Sequence, residues 1–158
     1  MSDAPVIVAY DGSDAACAAV RAAAVVFRER RLIVATVWEP GLAVALASTS
    51  DPSAMAYTLP TAAEVVAVDR RQRDHAADAA EQGARLAIAL GATAEACSLP
   101  DDDGIAETIA AFAEARAACV VVVGSRGLRG VKSRLYGSTS RGLLELARTP
   151  VMVVRAPE

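Results

Sequence analysis

Several kinds of residue are scarce in this sequence, and each shortage removes a class of function. There is one histidine, His75, set in a charged helical stretch that reads as surface, so no Ser/His/Asp set and no Cys/His metal cluster is visible. Cys17, Cys97 and Cys119 are odd in number and lack CxxC spacing, which argues against a disulfide framework and for buried, reduced thiols in a cytosolic protein. Aromatic residues are only 4% of the chain while hydrophobic residues are 54%, so the core must be built from Ala, Val, Leu and Ile. That palette suits an α/β sandwich better than an all-β domain. No apolar run reaches the roughly 18 residues of a membrane span, because Arg21, Asp69, Arg85 and Glu107 interrupt the alanine-rich stretches. No basic region precedes an apolar core at the start, so no secretory signal is read and a cytoplasmic location is expected. Excess cations are missing too: a net charge of -3 argues against a general nucleic-acid binder.

At 158 residues the chain is one domain long, 1–158, with enough length to bury a core. Residues 5–10 (PVIVAY) read as a strand closed by Asp11-Gly12-Ser13, and residues 14–30 as a helix with Cys17, Val20, Ala24 and Phe27 on one face. Residues 31–38 (RLIVATVW) are a second strand, and residues 39–60, with four Pro or Gly breakers, a long loop. Thr61 and Glu64 form a capping box for a helix over 61–90, stopped by Gly91. Gly83 inside that helix costs about 1 kcal/mol relative to alanine. A weaker strand over 92–99, a turn of acids at 100–104 and a helix over 105–116 follow. The remaining elements are strands over 119–123 and 151–155 and a helix over 138–147. Phe27 and Trp38 read as core. Alternation of strand and helix predicts a parallel sheet with helices on both faces, and ligands in such sheets bind outside the carboxyl ends of the strands, where strand order reverses. If the first and fourth strands are neighbours there, Asp11 and Gly124 face one crevice.

What the sequence does have is a glycine pattern behind the fourth strand: Gly124-Ser125-Arg126-Gly127, nine residues, then Gly137-Ser138-Thr139-Ser140. Glycines allow close backbone approach and positive φ, and N–H groups at a helix start, with Ser138 as candidate N-cap, suit an anion. The surrounding charge agrees, since Arg126, Arg129, Lys132, Arg134, Arg141, Arg148 and Arg155 share their stretch with a single acid, Glu145. Arg129, Lys132 and Arg134 read as ordinary solvated loop residues; Arg126 lies between two motif glycines. A dinucleotide loop would place GxGxxG after the first strand, and a Walker-type loop would need GxxxxGK with a hydroxyl residue; neither occurs.

The pattern Gly-x2-Gly-x9-Gly-Ser, with Asp11-Gly12-Ser13 after the first strand and the closing Pro150-Val151-Met152-Val153-Val154, resembles the nucleotide-binding branch of the universal stress protein family over essentially the whole chain. The resemblance implies a three-layer α/β sandwich with a five-stranded parallel sheet in order 3-2-1-4-5. It implies that Asp11 contacts ribose or helps hold a metal, that Val37 packs on adenine, and that Ala9, Tyr10 and Val123 line the base pocket. It implies that Gly124, Arg126 and Gly127 wrap the ribose and first phosphates, and that Gly137, Ser138, Thr139 and Ser140 hold the outer phosphates. Dimerisation through the last strand would use Val151, Met152, Val153 and Val154.

Asp11 also reads as a cap for the helix that follows it, and both readings stand. No glutamine or carboxylate is placed as a water-positioning group, so binding without fast turnover is expected. The expected function is an ATP-binding, dimeric stress sensor or regulator, with Mg accompanying ATP. AMP or cyclic AMP in the same pocket, a slow ATPase with a metal on Asp11, and an interaction module working through 151–154 and the 39–60 loop are the alternatives.

Overall fold

The computed structural model describes residues 4–41, 61–101, 103–125 and 137–156. Strand and helix alternate as β1 Val6–Ala9, α1 Asp14–Val26, β2 Leu32–Trp38, α2 Ala62–Ala89, β3 Ala94–Pro100, α3 Ile105–Ala115, β4 Val120–Gly124, α4 Ser138–Leu146 and β5 Val151–Val154. All four pairings are parallel and the order is β3-β2-β1-β4-β5, as expected. From β1 the chain steps outward to β2 and β3, then returns to β4 on the other side of β1. Right-handed crossovers therefore put α1 and α2 on one face and α3 and α4 on the other.

Strand alternation sorts the core accordingly. Val6, Val8, Leu32, Val34, Val120 and Val122 pack with α1 and α2, while Ile7, Ala9, Ile33, Ala35, Val121 and Val123 pack with α3 and α4. Each fully buried Val, Leu or Ile contributes about 1.5–3 kcal/mol. The helices meet this sheet through small residues: α1 buries Ala15, Ala16, Ala18, Ala19, Ala23 and Ala24. From α2 come Ala76, Ala80, Gly83, Ala84 and Ala87. Gly83 is more than a helix-weakening residue, because a Cβ there would lie 2.7 Å from Val34 Cγ1 and 3.0 Å from the Tyr10 ring. Between α3 and α4 the same device recurs, with a Cβ on Gly142 falling 2.7 Å from Ala106 Cβ.

The helix ends follow local chemistry. Thr61 Oγ1 accepts from Glu64 N–H at 3.3 Å, and Glu64 Oε2 accepts from Thr61 N–H at 2.7 Å, completing the capping box. Beyond α2, Gly91 takes φ +86°, and Gly91 N–H and Ala92 N–H donate to the Ile88 and Ala87 carbonyls. After α3 the same pair of bonds runs from Ala117 and Ala118 to Glu114 and Ala113, but the left-handed position, φ 48°, is filled by Ala117.

Some boundaries differ from expectation. Helix α1 ends at Val26, not at residue 30, with Phe27 as its C-cap and the Arg30 guanidinium donating to the Ala4 carbonyl at 3.2 Å. Strand β3 extends through Pro100, which belongs to the strand and not to the turn. It can because β3 is an edge: Asp101 N–H donates to the Trp38 carbonyl at 2.7 Å, so the nitrogen of Pro100 faces away from β2. Phe27, Trp38 and the three free cysteines are half-buried rather than fully enclosed, and His75 is exposed. Of the long loop expected over 39–60, residues 42–60 lie outside the described residues; Gly41 N–H donates to Asp69 Oδ1 on α2 at 2.8 Å. Among the described residues no helix is long and apolar enough to cross a membrane.

Candidate functional site

Strand order reverses between β1 and β4, and the two are neighbours, so the switch point where a crevice is expected lies at their carboxyl ends. Val8 pairs with Val122, which sets Ala9 beside Val123. Both are buried on the α3–α4 face, and the half-buried Val37 packs against the same cluster. Three of the four apolar residues expected around a base thus share one face.

Tyr10 is set apart from them. Successive strand residues point to opposite faces, and its ring lies in the α1–α2 layer beneath Gly83. The Tyr10 hydroxyl is 3.5 Å from Cys17 Sγ. Burial, and then the Cys17 thiol beside it, push its pKa up to about 12. What Tyr10 offers the site is its backbone. Its N–H donates to the Ala35 carbonyl at 2.9 Å, and its carbonyl accepts from Thr36 Oγ1 at 2.9 Å. Beyond Ala35, β2 continues beside β3 while β1 has ended. Ladder alternation then turns the N–H and C=O of Val37 toward the vacated β1 side.

Asp11 is exposed at the end of β1, and its Oδ1 accepts from Ser13 N–H at 3.0 Å. The cap of α1 is Ser13, whose Oγ accepts from Ala16 N–H at 3.1 Å. Asp11 is therefore not the helix cap; it braces the turn that presents one, with Gly12 at φ +81°. Among the described residues no group of three His, Cys, Asp or Glu side chains is placed to hold a metal.

Gly124 has a tight neighbour: a Cβ there would lie 2.6 Å from the carbonyl carbon and oxygen of Ala15. The first motif glycine lets β4 end against the first turn of α1. From there Ser125 N–H donates to the Val154 carbonyl at 2.7 Å, and Gly137 N–H donates to the Ser125 carbonyl at 2.6 Å. One backbone bond thus brings the start of α4 back to the end of β4. Arg126 and Gly127 lie outside the described residues, as do Arg129, Lys132 and Arg134.

Helix α4 begins differently from expectation. Gly137, not Ser138, is the N-cap, in extended conformation and with no side-chain capping bond. Gly137 holds that place because its N–H is committed to Ser125, so Ser138 becomes the first helical residue. Ser138 is exposed, Thr139 half-buried, and Ser140 1% exposed with Oγ donating to the Gly137 carbonyl at 3.0 Å. Ser140 thus secures the turn with its hydroxyl. Of the basic residues, Arg141 pairs with Glu145 at 2.9 Å on the surface of α4.

Sequence reasoning passed over Ser125 and Thr36. Thr36 carried a signal, being the one polar residue inside an apolar strand; Ser125 carried none beyond its place between the first two motif glycines.

Residues 4–155 match the model of the universal stress protein family. No curated protein matches the chain. Solved structures do. The universal stress protein UspA from Lactobacillus plantarum is similar at 19% identity and TM-score 0.73, over 98% of this chain and 99% of that one. The universal stress protein from Archaeoglobus fulgidus in complex with dAMP is similar at 20% identity and TM-score 0.62, over 98% and 99%. A universal stress protein in complex with cAMP is similar at 24% identity and TM-score 0.67, over 99% and 100%. At these identities the likeness speaks for the fold, whereas the family match spans nearly the whole sequence. The chain belongs to the universal stress protein family.

Proposed function

We propose that this protein binds an adenine mononucleotide, with ATP as the ligand, in the crevice between the carboxyl ends of β1 and β4. The observation that carries this reading is the bond from Gly137 N–H to the Ser125 carbonyl. It brings the first turn of α4, which has no side-chain cap, to the strand ends, where Ala9, Val37 and Val123, which share one face, would form an apolar floor. A base on that floor would meet the edge-facing N–H and C=O of Val37, and its phosphates the backbone N–H groups of Ser138 and Thr139. Gly124, Arg126 and Gly127 would follow the ribose and first phosphates, and Asp11 the ribose. Ser140 would act through its backbone, Tyr10 through its fixed peptide. Hydrogen bonds to charged phosphate oxygens contribute about 1.5–3 kcal/mol each, enough in combination for roughly micromolar affinity.

Magnesium would arrive with the triphosphate. One carboxylate plus phosphate oxygens is an ordinary magnesium set, and Asp11 fits the protein's share of it. The protein reads as a cytoplasmic, nucleotide-dependent stress regulator that binds without fast turnover and without nucleic-acid or membrane partners. Its dimer would form on β5, a half-buried edge strand, with Leu144 and Leu146 exposed on the adjoining helix. A second reading, AMP or cyclic AMP in the same pocket, is favoured by the similar structures bound to dAMP and cAMP.

Titration calorimetry with ATP, AMP and cyclic AMP tests the proposal. Gly127→Val and Gly137→Val are expected to lose binding while keeping the wild-type circular dichroism spectrum. Wild-type protein that binds none of the three nucleotides refutes the reading.

A further inference from the structure

The residue immediately before Asp11 is held at every polar atom it offers. Tyr10 N–H is bonded to the Ala35 carbonyl, the Tyr10 carbonyl to Thr36 Oγ1, and the Tyr10 hydroxyl sits by Cys17 Sγ. Its ring is pressed beneath Gly83, leaving the residue 7% exposed. In a continuing parallel ladder, the Tyr10 carbonyl would be taken by a backbone N–H of the neighbouring strand. Here the β1–β2 pairing ends at Ala9 and Ala35, and a side-chain hydroxyl takes the carbonyl instead.

Two consequences meet at Thr36. Its hydroxyl fixes the orientation of the Tyr10–Asp11 peptide plane and so the direction in which Asp11 leaves β1. It also takes the Tyr10 carbonyl where a continuing ladder would use the edge-facing N–H of Val37, the next residue along, so the hydroxyl stands in for that N–H. Thr36 is itself 8% exposed and paired along β2–β3 with Ser98, so its hydroxyl is carried by a fixed strand. A buried carbonyl deprived of this donor would either stay unsatisfied or draw the Val37 N–H back into the ladder. Either result alters the ribose side or the base side of the crevice.

We propose that Thr36 is a positioning residue of the nucleotide site, holding Asp11 and leaving the Val37 backbone available to a base. This rests on the nucleotide reading above. Thr36→Val keeps the branched shape and removes the hydroxyl; Thr36→Ser keeps the hydroxyl. Leu32→Val, at the far end of the same strand, controls for lost stability alone.

Calorimetry with whichever of ATP, AMP or cyclic AMP binds the wild type most tightly is expected to show about tenfold weaker binding for Thr36→Val. Thr36→Ser should stay within about twofold of wild type, and Leu32→Val should keep its affinity despite a lower melting temperature. Backbone order parameters of Asp11 and Gly12 from nitrogen-15 relaxation should fall in Thr36→Val and recover in Thr36→Ser. Should Thr36→Val not fold, Thr36→Ala carries the same expectations. Unchanged affinity in a folded hydroxyl-free variant overturns the proposal, as do unchanged order parameters. If the wild type binds no nucleotide, the parent reading fails, and the order parameters alone decide whether Thr36 holds Asp11.

Discussion

Replacing Gly124 with alanine would place a Cβ 2.6 Å from the carbonyl carbon and oxygen of Ala15 and 2.9 Å from its Cβ. Ordinary contact begins near 3.4 Å, so the first turn of α1 would have to retreat by about 0.8 Å. Two of the three opposing atoms are backbone, and no rotamer change can relieve them. Overpacking of this kind costs about 1–3 kcal/mol. For a domain of this size each kcal/mol lowers the melting temperature by roughly 2–4 °C, so Gly124→Ala is expected to melt about 2–12 °C below wild type. Because the α1 cap at Ser13 is braced by Asp11, displacement of that turn is also expected to weaken nucleotide binding. Adding Ala15→Gly removes only the Cβ contact and should restore little of the lost stability. Thermal melts of the two single variants and the double, followed by calorimetry, make the test. A Gly124→Ala protein that melts with wild type, or full rescue by Ala15→Gly, would refute the backbone-contact reasoning.

At the left-handed position after α3, Ala117→Gly should raise the melting temperature, since releasing a non-glycine residue from φ 48° recovers about 1 kcal/mol. Gly91→Ala, at φ +86° after α2, should lower it by a similar amount; equal and unchanged melts for both would show that neither cap is strained. Tyr10, with its pKa pushed up to about 12, should ionise well above the ordinary tyrosine value of 10.0 in an ultraviolet difference titration of folded protein, and a Tyr10→Phe variant should lack that late step. The sign follows: a folded-state pKa above the unfolded value of 10.0 gives stability that is complete below pH 10 and lost as pH rises toward 12. In Tyr10→Phe that alkaline loss should be smaller, and an unaltered alkaline limb would count against burial as its cause.

Much of the architecture was legible because its signals are local. The valine-rich runs of β1 and β4, the Thr61–Glu64 box and the glycine at 91 each report a short-range preference that tertiary packing did not override. The site was less legible, since a glycine that makes room for a ligand and one that makes room for a helix have the same sequence. Gly83 and Gly124 both let a helix and the sheet approach each other in this structure, and only the positions of Val34, Tyr10 and Ala15 disclose it. Tyr10 is a different case. Strand alternation already forbids Ala9 and Tyr10 from lining one pocket with their side chains, and that rule was available from the sequence. The exchange of roles between Gly137 and Ser138 was not available, because it depends on a bond to Ser125, twelve residues earlier along the chain.

The alanine-lined seams between sheet and helices have a consequence for how this protein tolerates mutation. In a core of large side chains the damaging substitutions are deletions, which leave cavities. Where α1 and α2 lie on the sheet there is little left to delete, because Ala19, Ala23, Ala80 and Ala87 already present a single methyl group and are 0% exposed. Damage at these seams comes from atoms gained. A single added methyl group pries a helix off the sheet, and the distances at Gly83 and Gly124 indicate how little clearance such an addition would find. A substitution scan should therefore show intolerance rising with side-chain volume at these positions, while the β5 edge accepts larger residues.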